Sequence, residues 1–97
     1  MTKKYKLTTE TKTVSGIKLY RIEALRDFGD VKKGDKGGWI EKEGNLSQEG
    51  NTWIYGKTRI YGNAWIYGEA RISGEARIYG EARISGFVES ISKHFGI

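Results

Sequence analysis

From residue 38 onward, hydrophobic and polar positions follow a six-residue beat. Gly recurs at 38, 44, 50, 56, 62, 68, 74, 80 and 86. With Gly as first place, the third place holds Ile40, Leu46, Thr52, Thr58, Ala64, Ala70, Ala76, Ala82 and Val88. The fifth holds Lys42, Gln48, then Ile54, Ile60, Ile66, Ile72, Ile78 and Ile84, then Ser90. Between them stand large or charged residues: Trp53, Arg59, Trp65, Arg71, Arg77 and Arg83 at place four, and Tyr55, Tyr61, Tyr67, Ser73, Tyr79 and Ser85 at place six. Period-two alternation over places three to six predicts a short strand with a small residue and Ile on one face. Gly and the polar residue after it break that strand and supply the backbone angles of a corner. A helix would need apolar spacings of three and four, which are missing. Identical stacked units are better served by a parallel β-helix than by a hairpin meander.

The first third has another pattern. Two partly alternating runs flank Ser15-Gly16, which predicts a hairpin. Gly29, Gly34, Gly37 and Gly38 then punctuate turns before the first hexad. At the far end, Phe87, Val88, Ile91 and Phe95 fall at helical spacing. They predict either a short amphipathic helix capping an open strand edge or an oligomer contact. The division expected is a basic β cap over 1–37, a repeat region over 38–86 and a C-terminal segment over 87–97, within one structural domain.

The Ile-Tyr/Ser-Gly-Glu-Ala-Arg unit resembles the hexapeptide repeat of left-handed parallel β-helix proteins, strongly over 50–85 and weakly over 38–49. That resemblance implies an all-β, single-stranded, left-handed coil of ~18 residues per turn, with strands ~4.8 Å apart along the axis. Residues 18 apart would then stack: Trp53 over Arg71 over Glu89, Glu41 with Arg59 and Arg77, Tyr61 over Tyr79, and Trp65 over Arg83. The head, with Leu19 to Ala24, Asp27 to Gly29 and Gly34 to Ile40, is similar to small phage- and prophage-associated hexapeptide-repeat proteins. Lys42 and Gln48 stand where Ile recurs later, so the first two hexads are expected to be irregular.

Composition narrows the chemistry. The net charge of +5 sits in the head: residues 1–37 carry ten Lys and Arg against five Asp and Glu, and residues 38–97 carry seven of each. The chain has no Cys and one His. Disulfides and thiolate metal sites are therefore excluded, and a reducing compartment is compatible. No apolar run approaches the ~18 residues of a membrane span. The basic start is not followed by an apolar segment, so no signal peptide is expected and the cytosol is the expected compartment.

An enzyme is not expected, nor a cofactor or metal. His94, the sole His, has no Ser or Asp placed for a relay, and one His cannot supply a three-His metal site. Gly34-Asp35-Lys36-Gly37-Gly38 lacks the Walker spacing. Asp27, Asp30 and Asp35 do not match an EF-hand loop and read as turn formers.

Two binding readings remain. In the first, a non-enzymatic interaction protein, itself expected to be a homo-oligomer, meets a host or phage protein through Arg59, Tyr61, Arg77, Tyr79, Trp53, Arg71, Trp65 and Arg83. Those residue types are enriched at interface hot spots; with a phage-like head, inhibition of a host defence system is the sharper version. The same residues could instead be the seam of a purely structural homo-oligomer, dimer or trimer. In the second, nucleic acid or a nucleotide binds the basic head (Lys3, Lys4, Lys6, Lys32, Lys33, Lys36) together with the Arg and aromatic rows.

Overall fold

A computed structural model describes residues 3–85 and the backbone of 94–95. The described residues are all-β apart from one 3-10 turn, Glu43–Asn45. The head is three strands: β1 (Tyr5–Val14), β2 (Ile17–Ala24) and β3 (Lys36–Ile40). β1 and β2 form the expected antiparallel hairpin, closed by Val14 opposite Ile17. Its two turn residues, Ser15 and Gly16, have φ of 52° and 80°, the left-handed pair that matches strand twist in a tight hairpin.

The repeat supplies two-residue rungs: β4 (Trp53–Ile54), β5 (Arg59–Ile60), β6 (Trp65–Ile66), β7 (Arg71–Ile72), β8 (Arg77–Ile78) and β9 (Arg83–Ile84), with β10 at His94–Phe95. β4, β5 and β6 each pair in parallel with the rung three hexads on, Trp53 with Arg71, Arg59 with Arg77 and Trp65 with Arg83, and β8 pairs with β10, Arg77 with His94. The resulting sheets are a six-stranded one ordered β1-β2-β3-β5-β8-β10, and the pairs β4-β7 and β6-β9.

This architecture corrects the expected single-stranded left-handed parallel β-helix. The main sheet is mixed: β1 to β3 are antiparallel and enter directly beside the parallel rungs, and no closed solenoid results. The physical reason lies in strand length. The long head strands contribute half of the main sheet, while a Tyr or Ser between each Ile and Gly leaves the repeat only two paired residues per unit.

The register of the first hexads also differs. Ile40 faces Ile60 and Leu46 faces Ile66, a separation of 20 residues where 18 holds later. Ile40 and Leu46 take the interior positions that the six-residue phase assigns to Lys42 and Gln48. Burying two aliphatic side chains in place of an ammonium and an amide drives the slip. Asn45 stabilises it: fully buried, it accepts from the N–H groups of Glu41 and Lys42 at 3.1 and 3.0 Å and donates to the carbonyls of Gly62 and Ala64 at 3.2 and 2.8 Å. All the hydrogen-bonding capacity of its amide that matters here is used.

The core runs along the inward places: Ile54, Ile60, Ile66, Ile72 and Ile78 with Ala64, Ala70, Ala76 and Ala82. Thr52 and Thr58 are buried at the same small place, and the Thr52 hydroxyl donates to the Ala70 carbonyl at 2.6 Å. Trp53 joins the head to this core, with Tyr5 and Phe28 edge-on to its ring at 6.2 and 5.2 Å.

The chain start is clamped by the irregular hexads. Gln48 accepts from the backbone N–H groups of Lys4 and Tyr5 and donates to the Tyr5 carbonyl, acting as a stretch of strand edge. The Tyr5 hydroxyl donates to the Leu46 carbonyl at 2.6 Å. Lys4 is buried, and its ammonium donates to the Thr52 carbonyl at 2.7 Å and reaches the carbonyls of Glu49 and Gly50 at 3.4 and 3.5 Å. The ring of Phe28 lies 5.1 Å away. The residues expected to form a C-terminal cap or oligomer contact, 87–97, lie outside the described residues except for the 94–95 strand pair; so does Glu89.

Two predictions follow from this packing. A Cβ at Gly37 would stand 2.7 Å from the Ile54 carbonyl oxygen and 2.8 Å from the Trp53 ring, whereas one at Gly44 would meet nothing within 4 Å. Gly37→Ala should lower stability by about 2 kcal/mol or more through overpacking, and Gly44→Ala by far less, measured by urea denaturation. The second concerns pH. Burial, aided by Arg26 and opposed by Glu69, pushes the Lys4 ammonium from 10.5 down to about 8. Between those values the unfolded chain binds a proton that the folded one has released, so stability rises from pH 8 towards 10, by on the order of 1–2 kcal/mol. Above pH 10 the buried Tyr5 phenol, raised from 10.0 by burial and then Glu43, reverses the trend: the unfolded chain loses a proton that the folded one keeps. Lys4→Met should flatten the rise below pH 10 in the same denaturation series.

Candidate functional site

The outward row of the six-stranded sheet gathers Lys12, Arg21, Arg59 and Arg77; Arg21 is paired with Glu10 at 3.3 Å, while Arg59 and Arg77 have no acidic partner among the described residues. Because strand residues alternate faces, one residue per strand projects into this row, and the register places Arg21 beside Trp39, Trp39 beside Arg59, and Arg59 beside Arg77. Lys12, from β1, lies with its ammonium 4.1 Å above the Trp39 ring, and the Arg21 guanidinium is 5.7 Å from that ring. Trp39 thus holds two cations against its face. The crowding registers on Lys12: burial first, then the charges of Arg59, Lys57 and Arg21, lower its pKa, with Glu10 opposing.

Arg59 and Arg77 form no ion pair among the described residues. The Nε of Arg59 is buried and has no hydrogen-bond partner. Glu41, which the 18-residue phase would set in line with Arg59, instead accepts the Gly62 N–H at 2.7 Å. The two-residue slip is the cause, since it brings Trp39 beside Arg59 in place of Glu41. Next to the Arg pair, Tyr61 and Tyr79 stack at 5.4 Å with an interplanar angle of 10°. The face therefore offers adjacent guanidinium groups, a supporting ammonium and an aromatic stack. That arrangement suits an anionic group carried on a larger partner.

The other expected residues distribute differently. Trp53 is buried, so it packs the core and presents nothing outward. Arg71 is engaged with the head loop, 3.3 Å from Asp30, whose carboxylate also accepts the Tyr55 hydroxyl at 3.0 Å. Trp65 is exposed and stacks on Tyr67 at 4.3 Å, on a different sheet from Arg59; Arg83 is exposed beside it. Neither Trp53 over Arg71 nor Trp65 over Arg83 makes the cation–π contact that the stacking implies; those contacts fall on Phe28, Tyr20 and Trp39 instead.

Of the six lysines assigned to nucleic acid, Lys4 is buried. Lys3 pairs with Glu43 at 2.9 Å, Lys6 with Glu23 at 4.0 Å and Lys36 with Glu10 at 3.3 Å. Lys32 and Lys33 are exposed, and their backbone N–H groups are held by Asp35 and Asp27, which confirms these two acids as turn formers. The sequence reasoning missed Lys12, Arg21 and Trp39. A signal existed in the alternation of β1 and β2, but pairing them with the repeat requires the register of β3.

Among the described residues no three His, Cys, Asp or Glu side chains converge to hold a metal ion, and no helix is long and apolar enough to cross a membrane. No family model and no curated protein matches the chain. With a mixed sheet in place of a closed helix, the resemblance to hexapeptide-repeat proteins, and the narrower one to phage-associated members, is withdrawn.

Proposed function

We propose that this chain is a non-enzymatic binding protein that engages an acidic surface of a protein partner through the row Lys12, Arg21, Trp39, Arg59 and Arg77, with Tyr61 and Tyr79 beside it. The observation that carries the reading is the Arg59–Arg77 pair, adjacent on neighbouring strands with no carboxylate partner among the described residues. Like charges opposite one another in a sheet are mutually destabilising, and an anionic partner removes that cost. Arg and aromatic side chains fixed on short strands lose little rotamer freedom on binding. Inhibition of a host defence system rested on the phage resemblance and is not carried forward. A Cys-free chain of this kind is suited to the cytosol.

Protein is favoured over nucleic acid by the state of the head. The nucleic-acid reading drew most of its charge from the head, and four of its six lysines are buried or ion-paired. Glu69, Glu75 and Glu81 further line the corners of the repeat.

The test compares wild type with Arg59→Glu/Arg77→Glu in a lysate pull-down read by mass spectrometry. Circular dichroism checks the fold, and Arg59→Gln/Arg77→Gln serves as a milder pair. Wild type should retain a partner that the charge-reversed protein binds at least tenfold more weakly. Equal retention by both would remove this face from consideration. A salt-dependent affinity of wild type for random duplex DNA would favour the nucleic-acid reading. Light scattering on the same samples tests self-association: a mass that drops in the variants would make the row a seam between copies.

A further inference from the structure

A second surface, on another sheet, joins an exposed aromatic stack to two carboxylates on the side of the preceding hexads, with Arg83 on its other side. Trp65 is the one large hydrophobic residue that stands exposed among the described residues, at 39%. It stacks on Tyr67, two residues along the same face. On the side of the preceding hexads these rings meet no bulky neighbour. The slip that sets Leu46 opposite Ile66 places Asn45 and Ser47 next to Trp65 and Tyr67. Asn45 turns inward to the Gly62 and Ala64 carbonyls, and Ser47 is small. What remains is an open cleft of about 250 Å³ bounded by Ser47, Glu49, Gly50, Trp65, Tyr67 and Glu69.

The polar chemistry of the cleft is dominated by acceptors. Glu49 and Glu69 are exposed at its rim and form no ion pair among the described residues. Lys4, which feels the charge of Glu69 from within, is committed to backbone carbonyls. The Ser47 hydroxyl is occupied locally, accepting the Glu49 N–H at 3.1 Å and donating weakly to the Glu49 carbonyl at 3.4 Å. Ionised carboxylates accept only, so the rim is matched by a ligand that only donates. The π-face of an exposed Trp makes the same choice, since its quadrupole attracts cations. In a chain of net charge +5, two unpaired carboxylates beside an open aromatic pair run against the overall field.

We infer that the Trp65–Tyr67 cleft binds an organic cation, the guanidinium or ammonium end of a basic side chain presented by a partner segment. The ring surface left open by the Trp65–Tyr67 stack would take the cation, and Glu49 and Glu69 its N–H groups. This site is independent of the Arg59–Arg77 row, and either can exist without the other.

Titration of the ¹⁵N-labelled chain with tri-arginine, tri-glutamate and the neutral sugar maltotriose tests the inference through the indole N–H resonances, of which Trp65 contributes one of three. Tri-arginine should shift the Trp65 signal saturably and leave Trp53 unchanged, and tri-glutamate and maltotriose should do neither. Glu49→Gln/Glu69→Gln should weaken tri-arginine at least tenfold, and Trp65→Ala, read from the backbone amides of 47–50 and 67–69, should do so too. Both changes are at exposed positions and are checked by an unchanged amide spectrum elsewhere. The assignment is overturned if tri-arginine binds the Gln pair as well as wild type, or if the sugar shifts Trp65 equally. It is also overturned if no shift occurs up to millimolar peptide. Arg59→Glu/Arg77→Glu should leave this titration unaltered, which separates its outcome from that of the proposed partner face.

Discussion

The rest of the structure depends on the attachment of the chain start to the first two hexads. Lys4 gives its ammonium to carbonyls of residues 49–52, Tyr5 gives its hydroxyl to Leu46, and Gln48 returns three bonds to the backbone of both. A buried ammonium without a carboxylate is costly unless its protons are taken up. Here backbone oxygens take them, and those oxygens stand in place only when the irregular hexads are folded. The head and the repeat are therefore conditional on each other. The hairpin alone would leave Tyr5 and Ile22 uncovered, and the repeat alone would leave Trp53 exposed.

That coupling fixes the register, and the register fixes the surfaces. With Ile40 and Leu46 drawn inward, the sequence between them and Thr52 is two residues too long for the six-residue phase. The excess lies between Leu46 and Thr52 and is taken up by the loop that carries Gln48 to the chain start. Two consequences reach the outside. Trp39 replaces Glu41 beside Arg59, which leaves the Arg pair without an acidic neighbour. Small or inward-turned residues come to lie next to Trp65 and Tyr67, which opens the cleft. Both surfaces are products of one slip.

Much of this was legible from residue types. The six-residue beat identified the rungs and the inward Ile and Ala places, and the separate alternation of the head identified the hairpin at Ser15-Gly16. The beat also identified the pairings 18 apart between residues 53 and 84. Arg59, Arg77, Tyr61 and Tyr79 do share one face. What was not legible depends on competition between distant segments. Trp53 and Trp65 occupy the same place in the repeat, yet Trp53 is buried because Tyr5 and Phe28 arrive from the head to cover it. Lys4 reads as one more cation in a basic run; only its position beside the turn at 49–52 makes it a core residue. The fold resemblance failed for a related reason: a local unit repeated well over half the chain does not say how the other part joins the sheet.

The two surfaces differ in how firmly the fold holds them. The cationic row lies across the six-stranded sheet, where β2, β3, β5 and β8 each contribute a residue and Ile22, Ile40, Ile60 and Ile78 are fully buried. The aromatic cleft sits on a two-stranded sheet whose lower wall is the 3-10 turn and the Gln48 loop. Loosening the Lys4–Tyr5–Gln48 attachment would therefore free the lower wall of the cleft before it disturbed the row. Affinity at the cleft is expected to track the integrity of the chain start, because the loop bearing Glu49 is the one that Lys4 holds. The row answers instead to the charge balance on its own face, where nothing but an arriving anion relieves Arg59 and Arg77.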